Sequence, residues 1–167
     1  WPLRRYLPEL GLTVVAHGPV FNTNRLDDGT RMLLSTLSRV IPDPEPHHRP
    51  PARGEAIDLG SGSGIIATWL AQRGYAVTAV DVSQLALLST RLTARANHVH
   101  VGVRRADGLL GIPPGSVPLI ATNPPFHRGT AKDSLPTLAM IRSAGAVLRP
   151  GGELWTVYNS HLPYLPE

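Results

Sequence analysis

The stretch Ala56-Ile57-Asp58-Leu59-Gly60-Ser61-Gly62-Ser63-Gly64-Ile65 decides the fold of this chain. A short apolar run, typical of a buried strand, stops at an acid and three alternating glycines, which let the backbone turn sharply and approach a ligand closely. Residues 65–73 then have the apolar spacing of a helix, and Gly74 stands where a left-handed C-terminal cap is expected. The stretch predicts a strand, a glycine turn and a helix, with a nucleotide-like ligand at the turn.

The spacing of the glycines separates two classes of cofactor. In the dinucleotide-binding fingerprint the third glycine comes three residues after the second, where this chain has Ile65. This spacing argues against a nicotinamide-dependent dehydrogenase. The order acid-x-Gly-x-Gly-x-Gly instead resembles motif I of the class I S-adenosylmethionine-dependent methyltransferases. That resemblance implies S-adenosylmethionine as cofactor, bound by Asp58, Gly60, Ser61, Gly62 and Gly64; the alternative is a purely structural turn.

Length and composition exclude several classes of protein. At 167 residues and 42% apolar content, the chain is expected to form one domain over residues 1–167. No apolar run approaches the roughly 20 residues that cross a bilayer. Residues 1–5 lack the layout of a signal peptide, so we expect a cytoplasmic protein without membrane contact. The absence of cysteine excludes disulfides and thiolate metal sites.

The charge of the chain is modestly positive. The net charge is +4, carried almost wholly by arginine, with Lys132 the only lysine. This excess permits a phosphate-rich partner but is a weak argument for one when taken alone.

Residues 42–54 contain five prolines and are expected to form an exposed connector. His47 and His48 lie in this connector without a third ligand at a supporting spacing, so no metal site is predicted.

Five apolar runs predict the central sheet. They fall at residues 56–59, 76–80, 99–103, 117–122 and 153–158 and are separated by segments with helical or loop character. The pattern predicts an α/β fold with a mainly parallel, Rossmann-like sheet and helices on both faces. A further strand at residues 12–16 is expected outside this sheet. The ligand crevice of such folds lies at the carboxyl ends of the strands.

Two acids follow predicted strands at positions that suit an adenosine ligand. Asp81 ends the second strand about 20 residues past the glycines, where a carboxylate can accept hydrogen bonds from both ribose hydroxyls; Val82 would flank it. A helix cap is the competing role for Asp81, but Ser83 suits that role better. Asp107 follows the third strand, and the methyltransferase resemblance implies that it accepts from the adenine amino group beside Gly108. An ordinary Asp-Gly turn would have the same sequence.

The fourth predicted strand delivers the most specific motif of the chain, Asn123-Pro124-Pro125-Phe126. Consecutive prolines restrict the backbone and are an unusual way to leave a strand. The motif resembles motif IV of methyltransferases that modify exocyclic amino groups. The alternative is a rigid loop with a buried phenylalanine.

The chemistry of an exocyclic amino group explains the residue types of this motif. The nitrogen lone pair is delocalised into the ring, and ordinary side chains are too weakly basic to deprotonate the group first. The Asn123 side-chain oxygen and the Pro124 carbonyl can accept its two N–H bonds and stabilise the positive charge that develops on nitrogen. Phe126 can stack on an unpaired base. Pro125, His127 and Arg128 are expected to contact the substrate and its phosphates.

Longer stretches resemble the catalytic domain of the RsmC/RlmG-type ribosomal RNA guanine-N2 methyltransferases. Residues 18–37 resemble the segment ahead of motif I, residues 123–129 resemble motif IV, and residues 151–164 resemble the fifth strand and the segment after it. The resemblance covers most of residues 18–164. It implies methyl transfer to guanine N2, with ribosomal RNA or a ribosomal subunit as partner.

The chain departs from that family in three ways. Ser61 stands where the family often has cysteine, and a pocket built from backbone should tolerate this change. The family's enzymes carry an additional N-terminal domain, whereas this chain begins at Trp1. Only eight residues follow Asn159, although the family's sheet has two further strands. We therefore expect that this chain is a fragment of a longer two-domain protein and that the fragment lacks the last two strands of the sheet.

Two other functions use the same motifs. A methyltransferase of this fold that acts on adenine N6 or on a protein glutamine amide would also carry Asn-Pro-Pro followed by an aromatic residue. A non-catalytic RNA-binding module could keep the fold and the cofactor site without turnover. Assays that compare nucleic acid with protein as substrate distinguish the first alternative from an RNA methyltransferase. Cofactor binding without methyl transfer would indicate the second alternative.

Overall fold

The computed structural model describes residues 1–18, 20, 25–45, 50–124 and 135–157, without the side chains of residues 135–138. Seven strands and four helices occur in these ranges. The strands are β1 (Leu3–Leu7), β2 (Leu12–Ala16), β3 (Gly54–Leu59), β4 (Tyr75–Asp81), β5 (Gly102–Arg105), β6 (Val117–Thr122) and β7 (Leu148–Thr156). The helices are α1 (Asp28–Leu37), α2 (Ile65–Gln72), α3 (Gln84–Ala96) and α4 (Leu135–Val147).

The central sheet has five strands in the order β5-β4-β3-β6-β7, and all its pairs are parallel. Strand β3 lies in the middle, so the glycine turn after it emerges at the centre of the carboxyl edge. The order turns back at β3, which pairs with β4 on one side and β6 on the other. In open α/β sheets such a reversal opens a crevice for a ligand.

Side chains that alternate along the strands divide the core into two layers. One layer packs Ala56 and Ala79 of the sheet against apolar residues of α1 and α2, including Leu34 and Trp69. The other layer joins the opposite face of the sheet to α4 and consists of Ile57, Leu59, Val80, Leu109, Val117, Ile120, Ala144 and Val147. Helices therefore cover both faces, as the sequence predicts.

Strands β1 and β2 form a separate antiparallel hairpin, with Leu3 opposite Ala16 and Leu7 opposite Leu12. Only β2 is predicted from the sequence, because β1 is mostly exposed and lacks apolar alternation. Polar side chains at the end of α3 hold the backbone of β2. Thr93 Oγ1 of α3 accepts from Val15 N at 3.0 Å, and Oδ1 of the C-cap residue Asn97 accepts from Thr13 N at 2.8 Å. These side chains accept hydrogen bonds from the edge of β2, where the backbone of a third strand would otherwise accept them.

Two strands begin three or more residues away from their predicted start. The third strand of the sheet covers residues 102–105 rather than 99–103, because α3 runs to Ala96 and the turn through His98, with φ of +57°, delays the return to the sheet. The fifth begins at Leu148 rather than at residue 153. It pairs Leu148 with Val117 and Glu153 with Leu119, so the Pro-Gly-Gly sequence at residues 150–152 lies within the strand as an irregularity.

Candidate active site

The glycine turn after β3 has three left-handed residues. Gly60, Gly62 and Gly64 have φ of +74°, +52° and +80°. The N–H groups of Gly60 and Ser61 donate to the Val80 carbonyl at 2.8 and 3.1 Å, which ties the turn to the end of β4. Left-handed backbone is strained for residues other than glycine, so the conformation accounts for the residue type.

The first and third glycines serve different purposes. A Cβ on Gly60 would meet no atom within 4 Å, so this glycine faces open space at the mouth of the site. A Cβ on Gly64 would lie 2.6 Å from Thr90 Cα, because α2 begins against α3 at that point. Gly64 is buried behind the site and serves the packing of the two helices. The Ser61 hydroxyl is also turned away, since it lies 3.0 Å from Thr90 Oγ1.

Asp58 lies under the turn and is fully buried. Its Oδ2 accepts from Ala67 N of α2 at 2.9 Å, while Oδ1 has no hydrogen-bond partner among the described residues. Burial raises the pKa of Asp58 to about 7; the Ala67 N–H opposes this rise and the nearby charge of Asp81 adds to it. The buried carboxyl therefore anchors the glycine turn to the start of α2.

A cleft of about 360 Å³ opens beside the turn at the carboxyl edge of the sheet. This volume falls in the ~300–1,000 Å³ range of small-molecule sites. Its described walls are formed by Leu59, Gly60, Gly62, Val80, Asp81, Val82, Ala106, Asp107, Gly108, Thr122, Asn123, Pro124 and Met140. The structure thus brings the predicted residues from four separate segments to one cleft.

The Asp81 carboxylate stands at the end of β4 and accepts two backbone N–H groups. Oδ2 accepts from Gly62 at 3.0 Å and Oδ1 from Ser83 at 2.9 Å. A carboxylate has about four acceptor positions, so both oxygens can still accept from a ligand. Asp107 and Gly108, with φ of +60°, follow β5 and form the outer wall. Asp81 and Asp107 therefore both line the side of the cleft that β4 and β5 form.

Asn123 and Pro124 follow β6 at the opposite side. Thr122 fixes the end of that strand, since its buried hydroxyl donates to the Leu59 carbonyl at 2.7 Å. The Asn123 Nδ2 donates to Asp27 Oδ1 at 2.8 Å and to Thr30 Oγ1 at 3.0 Å. A hollow of about 20 Å³ lies between Thr30, Asn123 and the glycine turn. The start of α1 is therefore part of the site.

The contribution of α1 is missing from the sequence-based prediction. Asp27 lies in the stretch that resembles the family's segment ahead of motif I, and the sequence assigns it no place in the site. In the structure it caps α1 by accepting from Thr30 N at 3.0 Å. No local signal connects residues 27 and 30 with residue 123, because the connection depends on how α1 packs beside β6.

Some predicted positions fall outside the described residues. They are Pro125, Phe126, His127 and Arg128 of the predicted substrate site and the two histidines of the connector. Within the described part of the chain, no group of three or more metal-binding side chains occurs. No helix in those ranges is long and apolar enough to cross a membrane.

The fold and the site together define the class of protein. A parallel sheet that reverses at β3, an acid-anchored glycine turn, a carboxylate after β4 and Asn-Pro after β6 are the features of a Rossmann-like methyltransferase domain. In agreement, the family model called Methyltransferase small domain matches residues 11–167. The chain belongs to that family.

Relatives with assigned names are similar over nearly the whole chain. Ribosomal RNA small subunit methyltransferase C of Chromohalobacter salexigens is 42% identical over 154 residues, which cover 92% of this chain and 44% of the relative. Ribosomal RNA large subunit methyltransferase G of Streptomyces coelicolor is 42% identical and aligns with 98% of this chain and 43% of its own length. This chain thus spans less than half the length of these relatives.

A solved structure supports the same assignment. The 16S rRNA N2 methyltransferase RsmC of T. thermophilus, in complex with AdoMet and guanosine, superposes with a TM-score of 0.82 and 26% sequence identity. The match covers 98% of this chain and 43% of that one. The family and the α/β fold predicted from the sequence are confirmed.

Proposed function

We propose that this chain transfers a methyl group from S-adenosylmethionine to an exocyclic amino group, and that the group is guanine N2 of ribosomal RNA. The observation that carries the proposal is the opening of Asn123 and Pro124 into the same cleft as Gly60 and Asp81. The acceptors suited to an amino group thus lie beside the residues suited to the cofactor. The names of the two relatives support ribosomal RNA as the substrate. The solved RsmC structure, an N2 methyltransferase in complex with guanosine, supports guanine N2 as the position.

The residues of the cleft fit the proposed cofactor. Gly60 leaves open space that a Cβ would occupy, which lets a ligand lie against the backbone of the turn. Asp81 and Asp107 offer carboxylate oxygens, which suit the ribose hydroxyls and the adenine amino group. When bound, the cofactor supplies an electrophilic methyl group on a sulfonium. The apolar Leu59, Val80 and Met140 complete the walls of the cleft.

Asn123 and Pro124 perform the chemistry that this chain contributes. The Asn123 Oδ1 and the Pro124 carbonyl accept the two N–H bonds of the substrate amino group and turn its lone pair toward the methyl group. The same oxygens would stabilise the positive charge on nitrogen as the new N–C bond forms and the S–CH₃ bond of the sulfonium breaks, which leaves a neutral thioether. The methylated nitrogen then loses one proton to water, which restores a neutral base.

The ionisable groups of the cleft agree with this route. Among the described residues that line it, Asp81 and Asp107 are the ones with ionisable side chains, and both stand on the side proposed for the cofactor. The route needs no strong base, because deprotonation follows methyl transfer. The proposed contributions of Asn123 and Pro124 are therefore orientation and electrostatic stabilisation.

The proposed partner is ribosomal RNA within a ribosomal particle, in the cytoplasm. The chain carries a net charge of +4, and a positive surface is attracted to phosphates. The two aligned relatives are named for different ribosomal subunits, so purified small and large subunits are both needed as substrates. The protein is assayed at its full natural length.

The experiment follows labelled methyl transfer from S-adenosylmethionine to each subunit and identifies the product nucleoside. We expect N2-methylguanosine from one of the two. Methyladenosine, or label in protein, would contradict the proposed substrate, and cofactor binding without any transfer would indicate a non-catalytic module.

Asn123→Ala should lower kcat by roughly 10²–10³ with cofactor affinity little changed, since the side chain acts mainly in the transition state. Full activity of this variant would refute its role.

A further inference from the structure

The beginning of α1 lies directly against the proposed catalytic amide. Asp27 and Thr30 are 96 and 93 residues away from Asn123 in sequence, yet each accepts a hydrogen bond from its Nδ2. Thr30 is 2% exposed, so its hydroxyl contact is shielded from water. Both contacts use the same end of the Asn123 side chain.

The chemistry of the Asp27 side chain fixes which end of the amide faces it. An ionised carboxylate only accepts hydrogen bonds, so the atom of Asn123 beside it must be the NH₂ group. Asp27 and Thr30 together accept both protons of that group. The Asn123 Oδ1 is the remaining polar atom of the amide and is therefore the one offered to a substrate N–H.

Gly29 lets α1 come this close. A Cβ at this position would lie 2.9 Å from Asn123 Oδ1 and 3.1 Å from Nδ2. The Asn123 side chain is therefore held between the first turn of α1 and the end of β6. Rotation of the amide would break both hydrogen bonds and turn its acceptor toward Asp27.

We propose that Asp27 and Thr30 are positioning residues that lock the Asn123 amide with Oδ1 toward the substrate amino group. The inference rests on the proposed function for its effect on turnover. The locked orientation itself exists without substrate. Activity and orientation can therefore be tested separately.

Matched substitutions separate this role from the capping of α1. Asp27→Ser keeps a good N-cap residue but is too short to reach Asn123, and Asp28→Ser removes an exposed acid one residue further along. Thr30→Val removes the hydroxyl at nearly constant volume, whereas Thr30→Ser keeps it. We expect Asp27→Ser and Thr30→Val to lower kcat about tenfold or more with the KM for S-adenosylmethionine within about twofold. Asp28→Ser should stay near wild type, and Thr30→Ser, which keeps the hydroxyl, should recover most of the kcat that Thr30→Val loses.

A charge exchange provides the sharpest kinetic test. Asn123→Asp would place two carboxylates at the distance of the present hydrogen bond, which repels the side chain from its position. Adding Asp27→Asn restores one amide and one carboxylate in contact. We expect the pair Asp27→Asn/Asn123→Asp to recover at least tenfold in kcat over Asn123→Asp alone. Independent losses from the two substitutions would overturn the proposal, because residues in contact are non-additive.

The side-chain amide signal of Asn123 in a ¹⁵N–¹H spectrum gives a readout without turnover. Its assignment follows from its disappearance in Asn123→Asp. Asp27→Ser and Thr30→Val should shift the signal and speed its exchange with water, while Asp28→Ser should not. An unmoved signal in both variants would overturn the positioning role. Absence of methyl transfer by the wild-type enzyme would instead refute the proposed function and leave this spectrum to decide the orientation.

Discussion

Asp58→Asn should remove a pH-dependent loss of stability from the ligand-free protein. Burial holds the pKa of the native Asp58 carboxyl at about 7, against 3.8 for the free side chain. Between these values the unfolded chain releases the proton and the native protein keeps it. Ionisation therefore favours the unfolded state, so the stability contributed by the neutral carboxyl is full below about pH 4 and is lost as the pH rises through 7.

The size of the effect follows from the difference between the two pKa values. Each pKa unit corresponds to about 1.4 kcal/mol, so a rise from 3.8 to about 7 corresponds to roughly 4 kcal/mol at pH 8. The asparagine side chain is neutral at every pH and its oxygen can still accept from Ala67 N. We expect the unfolding free energy of the variant to rise relative to that of the wild type as the pH rises, by as much as roughly 4 kcal/mol.

Urea unfolding of both proteins at pH 4, 5, 6, 7 and 8 gives the measurement. The difference in unfolding free energy between the two proteins at each pH cancels the other titrating groups that they share. This difference should grow with pH and level off above about pH 7, the native pKa. A difference that is constant over the whole series would refute the reasoning, because it would mean that Asp58 titrates equally in the folded and unfolded states.

Two other predictions concern the glycine turn and the carboxylate after β4. Gly60→Ala and Gly64→Ala both introduce left-handed strain of about 1–2 kcal/mol, but only the second also drives a Cβ to 2.6 Å from Thr90 Cα. Gly64→Ala should therefore lower the unfolding free energy by a further 1–3 kcal/mol or so, whereas Gly60→Ala should mainly weaken cofactor binding; equal stabilities in thermal unfolding would contradict this division. Asp81→Ala should weaken S-adenosylmethionine binding by about 1–3 kcal/mol, because it removes a charged acceptor. Unchanged affinity in calorimetry would reject its contact with the ribose.

Local sequence was sufficient to predict the main elements and several residues that the structure places in the cleft, such as Gly60 and Asp81. The glycine turn, the cap at Ser83 and the acid at the end of β4 each depend on residues within a few positions of one another. Periodic apolar residues predicted five parallel strands, because a strand that is buried on both faces needs a continuous apolar run. The predicted strand boundaries were wrong where a turn interrupts an apolar run, as at His98 before β5.

The roles of residues that look alike in the sequence were decided by tertiary structure. Gly60 and Gly64 belong to one repeat, yet the first faces the cleft and the second lies against Thr90 of a neighbouring helix. The polar residues of α3 that hold β2 resemble a solvent-exposed face in the sequence. Such contacts join segments more than 25 residues apart, and no local pattern records which segments will meet.

The residues around Asn123 show the same division between what local sequence predicts and what tertiary structure decides. The Asn-Pro-Pro motif predicted a catalytic role for Asn123 from its neighbours alone, because two prolines after a strand are rare and specific. Its partners Asp27 and Thr30 come from a helix 90 or more residues earlier and became visible only in the folded chain. The sequence by itself determined which chemical groups the protein has and on which elements they lie. The packing of α1 beside β6 decided their orientation, because hydrogen bonds depend on distances in space and not along the chain.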